Sequence, residues 1–282
     1  MINISKKKEV LNQLKITRKQ NKSIGLVPTM GSLHKGHLSL IKNAVLEHDI
    51  VWVSIFINPT QFNKSIDLEN YPRNLDEDLS LLERFSKKVK VFSPSVNEIY
   101  GGNISVTAYD FDLLDTRLEG KYRKNHFNGV ATIVFKLLDL FKPKDVYFGE
   151  KDFQQVLIIK RLIVIEKFKV NLKICPTIRE RNGLALSSRN MLLSTQEKNM
   201  ASIIYESLIF IKTNFRNKPQ YNLTKNVISS IEKIKNFKVQ YLEICDCETL
   251  DPCDYKKSNT TCRAFICVEV NTVRLIDNIL LN

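Results

Sequence analysis

Ile24-Gly25-Leu26-Val27-Pro28-Thr29-Met30-Gly31-Ser32-Leu33-His34-Lys35-Gly36-His37 runs from a short apolar stretch through a glycine-bearing turn into residues 38–47, whose apolar side chains recur at i, i+3 and i+4. A strand that turns directly into a helix is the opening unit of a parallel α/β sheet, and the same texture repeats downstream. Residues 50–57, 89–92, 145–148 and 170–175 read as further buried strands, hydrophobic throughout rather than in alternation. Residues 75–85, 130–141 and 153–165 read as the helices between them. The pattern predicts a Rossmann-like parallel sheet with helices on both faces, whose ligands sit beyond the carboxyl ends of the strands.

After Pro176 the order changes. Helical stretches at 195–212 and 223–235 precede strand-like 239–244 and 264–270, which predicts a smaller α+β domain and boundaries at 1–176 and 177–282. A chain of 282 residues is long enough to bury two such cores. It shows no solenoid repeat and no signal-peptide pattern, and its apolar run at 156–165 is broken by Lys160 and Arg161, so a cytoplasmic protein is expected.

Lysine and arginine (43) exceed aspartate and glutamate (30), and the net charge of +13 favours anionic partners such as nucleotides, phosphates, nucleic acid or acidic lipid. The excess is diffuse lysine, with surpluses at 6–22 and 212–238 and no interleaved aromatics, so a solvated surface is the plainer reading than a nucleic-acid patch. Six cysteines, at 175, 245, 247, 253, 262 and 267, lack Cys-x-x-Cys pairs, and no histidine lies beyond His126. They read as buried reduced thiols rather than a zinc site.

The chemistry concentrates at strand ends. Gly31 and Gly36 admit close approach of a ligand, and the start of the following helix suits a phosphate. His34 and His37, three apart, are expected on one side of a helical turn, where two imidazoles donate hydrogen bonds to phosphoryl oxygens as charge builds. Half a metal site is the weaker reading, because no His-Glu-x-x-His pattern or third histidine accompanies them. Gln61, just after the second strand, offers a donor and an acceptor suited to a hydroxyl and a carboxylate together. Gly149-Glu150-Lys151-Asp152 repeats the strand, glycine, helix-start order, with Lys151 a compact cation and Asp152 a candidate ribose ligand or helix cap. Ser187-Ser188-Arg189 supplies hydroxyls and a guanidinium suited to phosphates. Glu77 and Asp78 lie near a helix start, where the dipole alone favours carboxylates.

Eight segments in order resemble the pantothenate synthetase (pantoate–β-alanine ligase) family. They are residues 28–37, 54–62 ending in Asn58-Pro59-Thr60-Gln61-Phe62, Tyr71-Pro72-Arg73, Phe92-Ser93-Pro94, His126-Phe127-x-Gly129-Val130, Phe148-Gly149-Glu150-Lys151-Asp152-x-Gln154-Gln155, Leu186-Ser187-Ser188-Arg189-Asn190, and Arg274-Leu275-Ile276-Asp277-Asn278. The family belongs to the superfamily that shares His-x-Gly-His with class I aminoacyl-tRNA synthetases and nucleotidylyltransferases. The resemblance implies an ATP-dependent ligase that makes pantoyl adenylate and then pantothenate, with Mg2+ accompanying ATP, a likeness to homodimers, and no nucleic-acid or membrane partner. It implies catalysis by His37, His34, Lys151 and Arg189. ATP would be bound by Met30, Gly31, His34, Gly36, His37, Gly149, Glu150, Lys151, Asp152, Ile178, Leu186, Ser187, Ser188 and Arg189, with the smaller domain closing over it. Pantoate would lie against Pro28, Met30, Gln61 and Gln155, β-alanine near Gln61, and magnesium against Glu77 and Asp78. Another His-x-Gly-His nucleotidylyltransferase or adenylate-forming ligase is the alternative. Two departures stand out: Arg123-Lys124-Asn125-His126-Phe127 replaces the usual Arg-Pro-Gly-His-Phe, which predicts a looser loop, and Arg181-Asn182-Gly183 replaces an acidic-glycine turn, a change asparagine accommodates.

Overall fold

The structure, a computed structural model, describes residues 2–253 and 260–282. Strands β1 (Ile2–Ile4), β2 (Ile24–Thr29), β3 (Ile50–Ile55), β4 (Val89–Phe92), β5 (Asp145–Gly149) and β6 (Asn171–Cys175) form one parallel sheet in the order β1-β4-β3-β2-β5-β6. From β2 the chain steps outward through β3 to β4, then crosses back to the other side of β2 for β5 and β6. The reversal falls between β2 and β5, paired at Gly25↔Asp145 and Leu26↔Val146. In open parallel sheets the crevice beyond such a reversal is where ligands bind.

Side chains of successive strand residues alternate between faces. On one face Val27, Val51, Val53, Val89 and Val91 pack with Leu40, Ile41 and Ala44 of the Lys35–Glu47 helix and Leu82 of the Leu75–Phe85 helix. On the other, Trp52 and Phe92 meet Phe141 of the His126–Phe141 helix, with ring centroids 5.1 and 5.8 Å apart. Burial on both faces is why these strands are apolar without alternation. β1 and the Lys7–Lys19 helix were not legible as elements: the helix buries only Val10, Leu14 and Thr17, so its narrow inward stripe is hidden among lysines.

The chain divides into two compact units, one of residues up to Glu150 with Gln154–Pro176, the other of Lys151–Phe153 with Thr177–Asn282. In the second unit β7 (Phe237–Asp246), β8 (Cys262–Val270) and β9 (Val273–Leu280) form an antiparallel sheet in that order. The Ser202–Asn214 and Gln220–Ile231 helices bury Ile204, Leu208, Ile211, Val227 and Ile231 in the core shared with that sheet. A bulge between Val239 and Tyr241 shifts the alternation, so Phe237 before it and Leu242 after it both join this core. The expectation of uniformly reduced thiols is corrected here. Cys253 N–H donates to the Ile244 carbonyl, and this return of the chain brings Cys253 beside Cys262, with which it forms a disulfide at a Cα–Cα distance of 5.7 Å. Cys175, Cys245 and Cys267 are buried and Cys247 is half-buried. No helix among the described residues is long and apolar enough to cross a membrane.

At the amino end of β5 a polar network anchors the far end of the Lys35–Glu47 helix. Gly25 leaves room for His48, because a Cβ there would lie 2.6 Å from His48 Cδ2. The buried His48 Nε2 is 3.0 Å from Asp145 Oδ2 and 3.0 Å from the Tyr147 hydroxyl, which in turn donates to Glu47 Oε2. Among the described residues, Glu47, His48 and Asp145 are the group of three close enough to share an ion. Lys173 already sits 2.7 Å from Glu47 Oε2, and His48 Nδ1 has no partner to steady a metallated ring, so the network is complete without one.

Burial lowers the His48 pKa against the opposing pull of Asp145. An unfolded histidine protonates near pH ~6.5, so below that pH the unfolded chain binds the extra proton and the folded chain resists it. The stability that neutral His48 contributes is therefore complete above about pH 6.5 and is lost as pH falls toward the lowered folded value, at up to about 1.4 kcal/mol per pH unit. We expect His48→Gln to flatten the acid limb of a plot of Tm against pH; an unchanged slope would assign that limb to other groups.

Candidate active site

The turn after β2 is built from three interlocking contacts. Thr29 Oγ1 donates to the Ser54 carbonyl on β3 (2.7 Å) and accepts the Gly31 N–H (3.2 Å). Gly31 and Ser32 both take left-handed backbone, at φ +79° and +51°, and a Cβ on Gly31 would lie 3.0 Å from both Asp78 Oδ2 and Ile55 Cγ2. Asp78, from the Leu75–Phe85 helix, accepts the Ser32 N–H on Oδ2 (2.8 Å) and the Leu33 N–H on Oδ1 (2.7 Å). Its side chain is buried, which raises the carboxyl pKa while the two amide bonds pull it down.

His34 and His37 come together, with ring centroids 4.1 Å apart and planes 33° apart, but not as two positions of one helical turn. His34 is the extended residue that caps the Lys35–Glu47 helix: its Nδ1 accepts the Gly36 N–H (3.1 Å), and His37 Nδ1 accepts the His34 N–H (3.3 Å). The expectation that the first helical amides would face a phosphate is thereby amended, because the Gly36 amide is spent on an imidazole. A ring that accepts at Nδ1 carries its proton on Nε2, so both rings are neutral Nε2–H donors.

Gln61 ends a single 3-10 turn, Pro59–Gln61, after β3. The Phe56 N–H donates to the Thr29 carbonyl, which keeps the exits of β3 and β2 side by side. Gln61 Nε2 lies 3.0 Å from Met30 Sδ and its Oε1 accepts from Asn58 Nδ2 (3.2 Å), so the two residues expected to line one ligand are adjacent. Buried Asn58 also donates to the Gly129 carbonyl and accepts the Tyr100 hydroxyl, and a Cβ on Gly129 would fall 2.2 Å from the Thr60 carbonyl oxygen. The Gln61 carbonyl accepts from Arg123 (3.2 Å) and from His126 Nδ1 (2.7 Å). The loop expected to loosen is therefore tethered, and Asn125 adopts the left-handed conformation, φ +62°, that glycine would otherwise supply.

β5 ends at Gly149, where a Cβ would meet nothing within 4 Å, so the space beyond this strand is open. The two glutamines that follow separate cleanly. Gln154 is buried, accepts the Glu119 N–H and donates to the Leu114 and Arg117 carbonyls, whereas Gln155 is half-buried.

In the second unit Lys151 Nζ lies 3.4 Å from Asp152 Oδ1, and the Lys151 carbonyl accepts from Asn278 Nδ2 (2.9 Å). Ile178 and Leu186 face each other across a hairpin through the Leu186 N–H and Ile178 carbonyl (2.9 Å), closed by Asn182-Gly183 with Gly183 at φ +92°. Arg179 forks onto both oxygens of buried Asp277 and lies 3.8 Å from the centre of the Tyr205 ring. Ser187 Oγ accepts the Arg189 N–H (3.2 Å) and caps the 3-10 turn Ser188–Leu192, in which Asn190 donates to the Ala185 carbonyl. Ser188 is buried and Arg189 half-buried.

Asp78, Asn58, Tyr100 and Gly129 complete the site as residues that sequence reading passed over or assigned elsewhere. Glu77 and Asp78, expected side by side on a magnesium ion, diverge on their helix: Glu77 is exposed, and Asp78 is buried with each oxygen accepting a backbone amide.

The family model described as Pantoate-beta-alanine ligase matches residues 3–280. "Pantothenate synthetase" of Flavobacterium psychrophilum is 44% identical over 99% of both chains, and that of Christiangramia forsetii 45% identical over 99% of both. Among solved structures, pantothenate synthetase from Thermus thermophilus aligns at a TM-score of 0.90 and 34% identity over 100% of this chain and 99% of its own. Pantoate-beta-alanine ligase from Francisella tularensis, complexed with beta-gamma ATP and beta-alanine, aligns at 0.81 and 38% identity over 99% and 97%. With a family match over residues 3–280 and relatives 44–45% identical over 99% of both chains, the chain belongs to the pantoate–β-alanine ligase family.

Proposed function

We propose that this chain condenses pantoate with β-alanine at the expense of ATP. The pantoate carboxylate attacks the α-phosphorus and pyrophosphate leaves, giving pantoyl adenylate. The β-alanine amine then attacks the acyl carbon, AMP leaves and the nitrogen loses a proton, giving pantothenate. The observation that carries this reading is the His34–His37 pair, two neutral rings whose Nε2–H donors are set by backbone amides at the carboxyl end of β2. Donors held in place before charge develops stabilise it without reorganisation. Relatives named for this reaction, one of them complexed with beta-gamma ATP and beta-alanine, support the same assignment.

In this reading His37 and His34 act on the α-phosphate. Lys151, Ser188 and Arg189 bind the leaving β and γ phosphates, and magnesium enters as part of the Mg·ATP substrate. Gln61 and Gln155 orient pantoate, with Pro28 and Met30 on its apolar side. No residue becomes covalently attached, and the rate arises from alignment and preorganised donors. A cytoplasmic homodimer belongs to the same reading.

The direct test is product formation. Pyrophosphate is expected from Mg·ATP only when pantoate is added, and pantothenate with AMP only when β-alanine follows; pantoate-independent pyrophosphate release would reject the assignment. His37→Ala is expected to slow pantoyl-adenylate formation by about 10²-fold or more with the fold intact. Near wild-type pyrophosphate release by that variant would remove the histidine from the mechanism. The glutamines separate the same way: Gln155→Ala should raise the KM for pantoate at unchanged Tm, and Gln154→Ala should lower Tm because three backbone groups lose their partner. The reverse pattern would exchange their roles.

A further inference from the structure

We propose that Asp78 is a positioning residue for adenylate formation, a carboxylate that holds the Gly31–Leu33 turn and through it aims the two imidazoles, and not a metal ligand. The inference rests on the reading that His34 and His37 act on the α-phosphate.

Thr29 Oγ1 holds the Gly31 amide of the turn, and the two amides after it are held from outside. Ser32 sits at φ +51°, a region disfavoured for a residue with a Cβ, directly after Gly31 at φ +79°. What fixes it comes from 45 residues further along: Asp78 gives one oxygen to the Ser32 N–H and the other to the Leu33 N–H. The carboxylate is buried and lies against Gly31, at the position where a Cβ would approach Oδ2 to 3.0 Å. The next residue is His34, whose N–H donates to His37 Nδ1. Asp78 therefore holds two successive amides, and the next residue along the chain carries the N–H that sets the His37 tautomer, while the Gly36 N–H three residues beyond Leu33 sets that of His34.

Among side chains of this size only a carboxylate fits this place. Asparagine has one acceptor oxygen, and its amide N–H2 would face one of the two backbone donors. Glu77, the other residue of the suggested metal pair, is exposed and on a different side of the helix, and both Asp78 oxygens are already engaged by backbone amides.

The test uses the full chain with Asp78→Asn, with Asp78→Glu as the second variant. In whichever folds, as judged by Tm and circular dichroism, kcat for pantoate-dependent pyrophosphate formation is expected to fall by about 10²-fold, the effect of misplacing a reacting group by about 1 Å. The free Mg2+ concentration for half-activation and the KM values are expected to stay within about threefold of wild type. A structural readout runs beside it. The chain has four histidines, so 15N-histidine spectra separate them. Asp78→Asn should shift His34 and His37 from the Nε2–H tautomer toward the mixture of a free imidazole and leave His48 and His126 unchanged. Unmoved His34 and His37 tautomers, or a raised Mg2+ requirement with kcat restored at saturating Mg2+, would overturn the proposal. A wild-type protein that released no pantoate-dependent pyrophosphate would instead refute the reading of function, and the tautomer measurement would still decide the role of Asp78.

Discussion

Each imidazole of the His34–His37 pair accepts a backbone N–H at Nδ1, and this one constraint decides what the site can do. It fixes the proton on Nε2 and makes the pair a set of neutral donors rather than a base or an ion cage. It also ties the donors to the start of a helix whose other end is anchored by the His48, Asp145 and Tyr147 network, so this helix is held at both termini. The remainder of the first unit can be understood as the support that this geometry requires.

That support comes from the sheet. A parallel sheet sends all its carboxyl ends to one edge, and the reversal of strand order between β2 and β5 leaves a crevice there. The turn after β2 is steadied from β3 through Thr29 and Ser54 and from the Leu75–Phe85 helix through Asp78, while the turn after β3 is steadied from the His126–Phe141 helix through Asn58, Gly129 and His126. Helices on both faces thus reach over the edge to hold the two turns, and Gly149 leaves the end of β5 unobstructed. The second unit follows the same economy with different means: half-buried Arg179, forked onto buried Asp277, orders the hairpin that leads into Ser187, Ser188 and Arg189. Removing Arg179 would leave the buried Asp277 carboxylate without its cation, so the pair constrains the loop more than its net contribution to stability suggests.

The strand-and-helix alternation, the glycine turn at Gly31 and the His-x-Gly-His spacing were all legible in the sequence, because burial on both faces imposes continuous apolar strands and a tight strand-to-helix turn imposes glycine. The family motifs at 28–37, 54–62 and 148–155 were legible for the same reason: they lie at strand ends along the carboxyl edge of the parallel sheet. Local composition hid the Lys7–Lys19 helix, whose inward stripe is too narrow to stand out, and β9, the hairpin partner of β8, whose apolar run is interrupted by Arg274, Asp277 and Asn278.

Residue type and spacing alone therefore determined that this chain makes a nucleotide-type α/β fold with two histidines at its first turn. Tertiary structure decided the rest, because side chains of similar chemistry meet different surroundings once the chain is folded. Gln154 is consumed by three backbone groups and Gln155 is not buried with it; Glu77 faces water and Asp78 clamps a turn; Cys253 and Cys262 meet only because the chain doubles back at Ile244. Even the histidine pair owes its donors to a cap that no i, i+3 rule describes, since the proton's location depends on which backbone amide reaches each ring, and that is settled by folding in three dimensions.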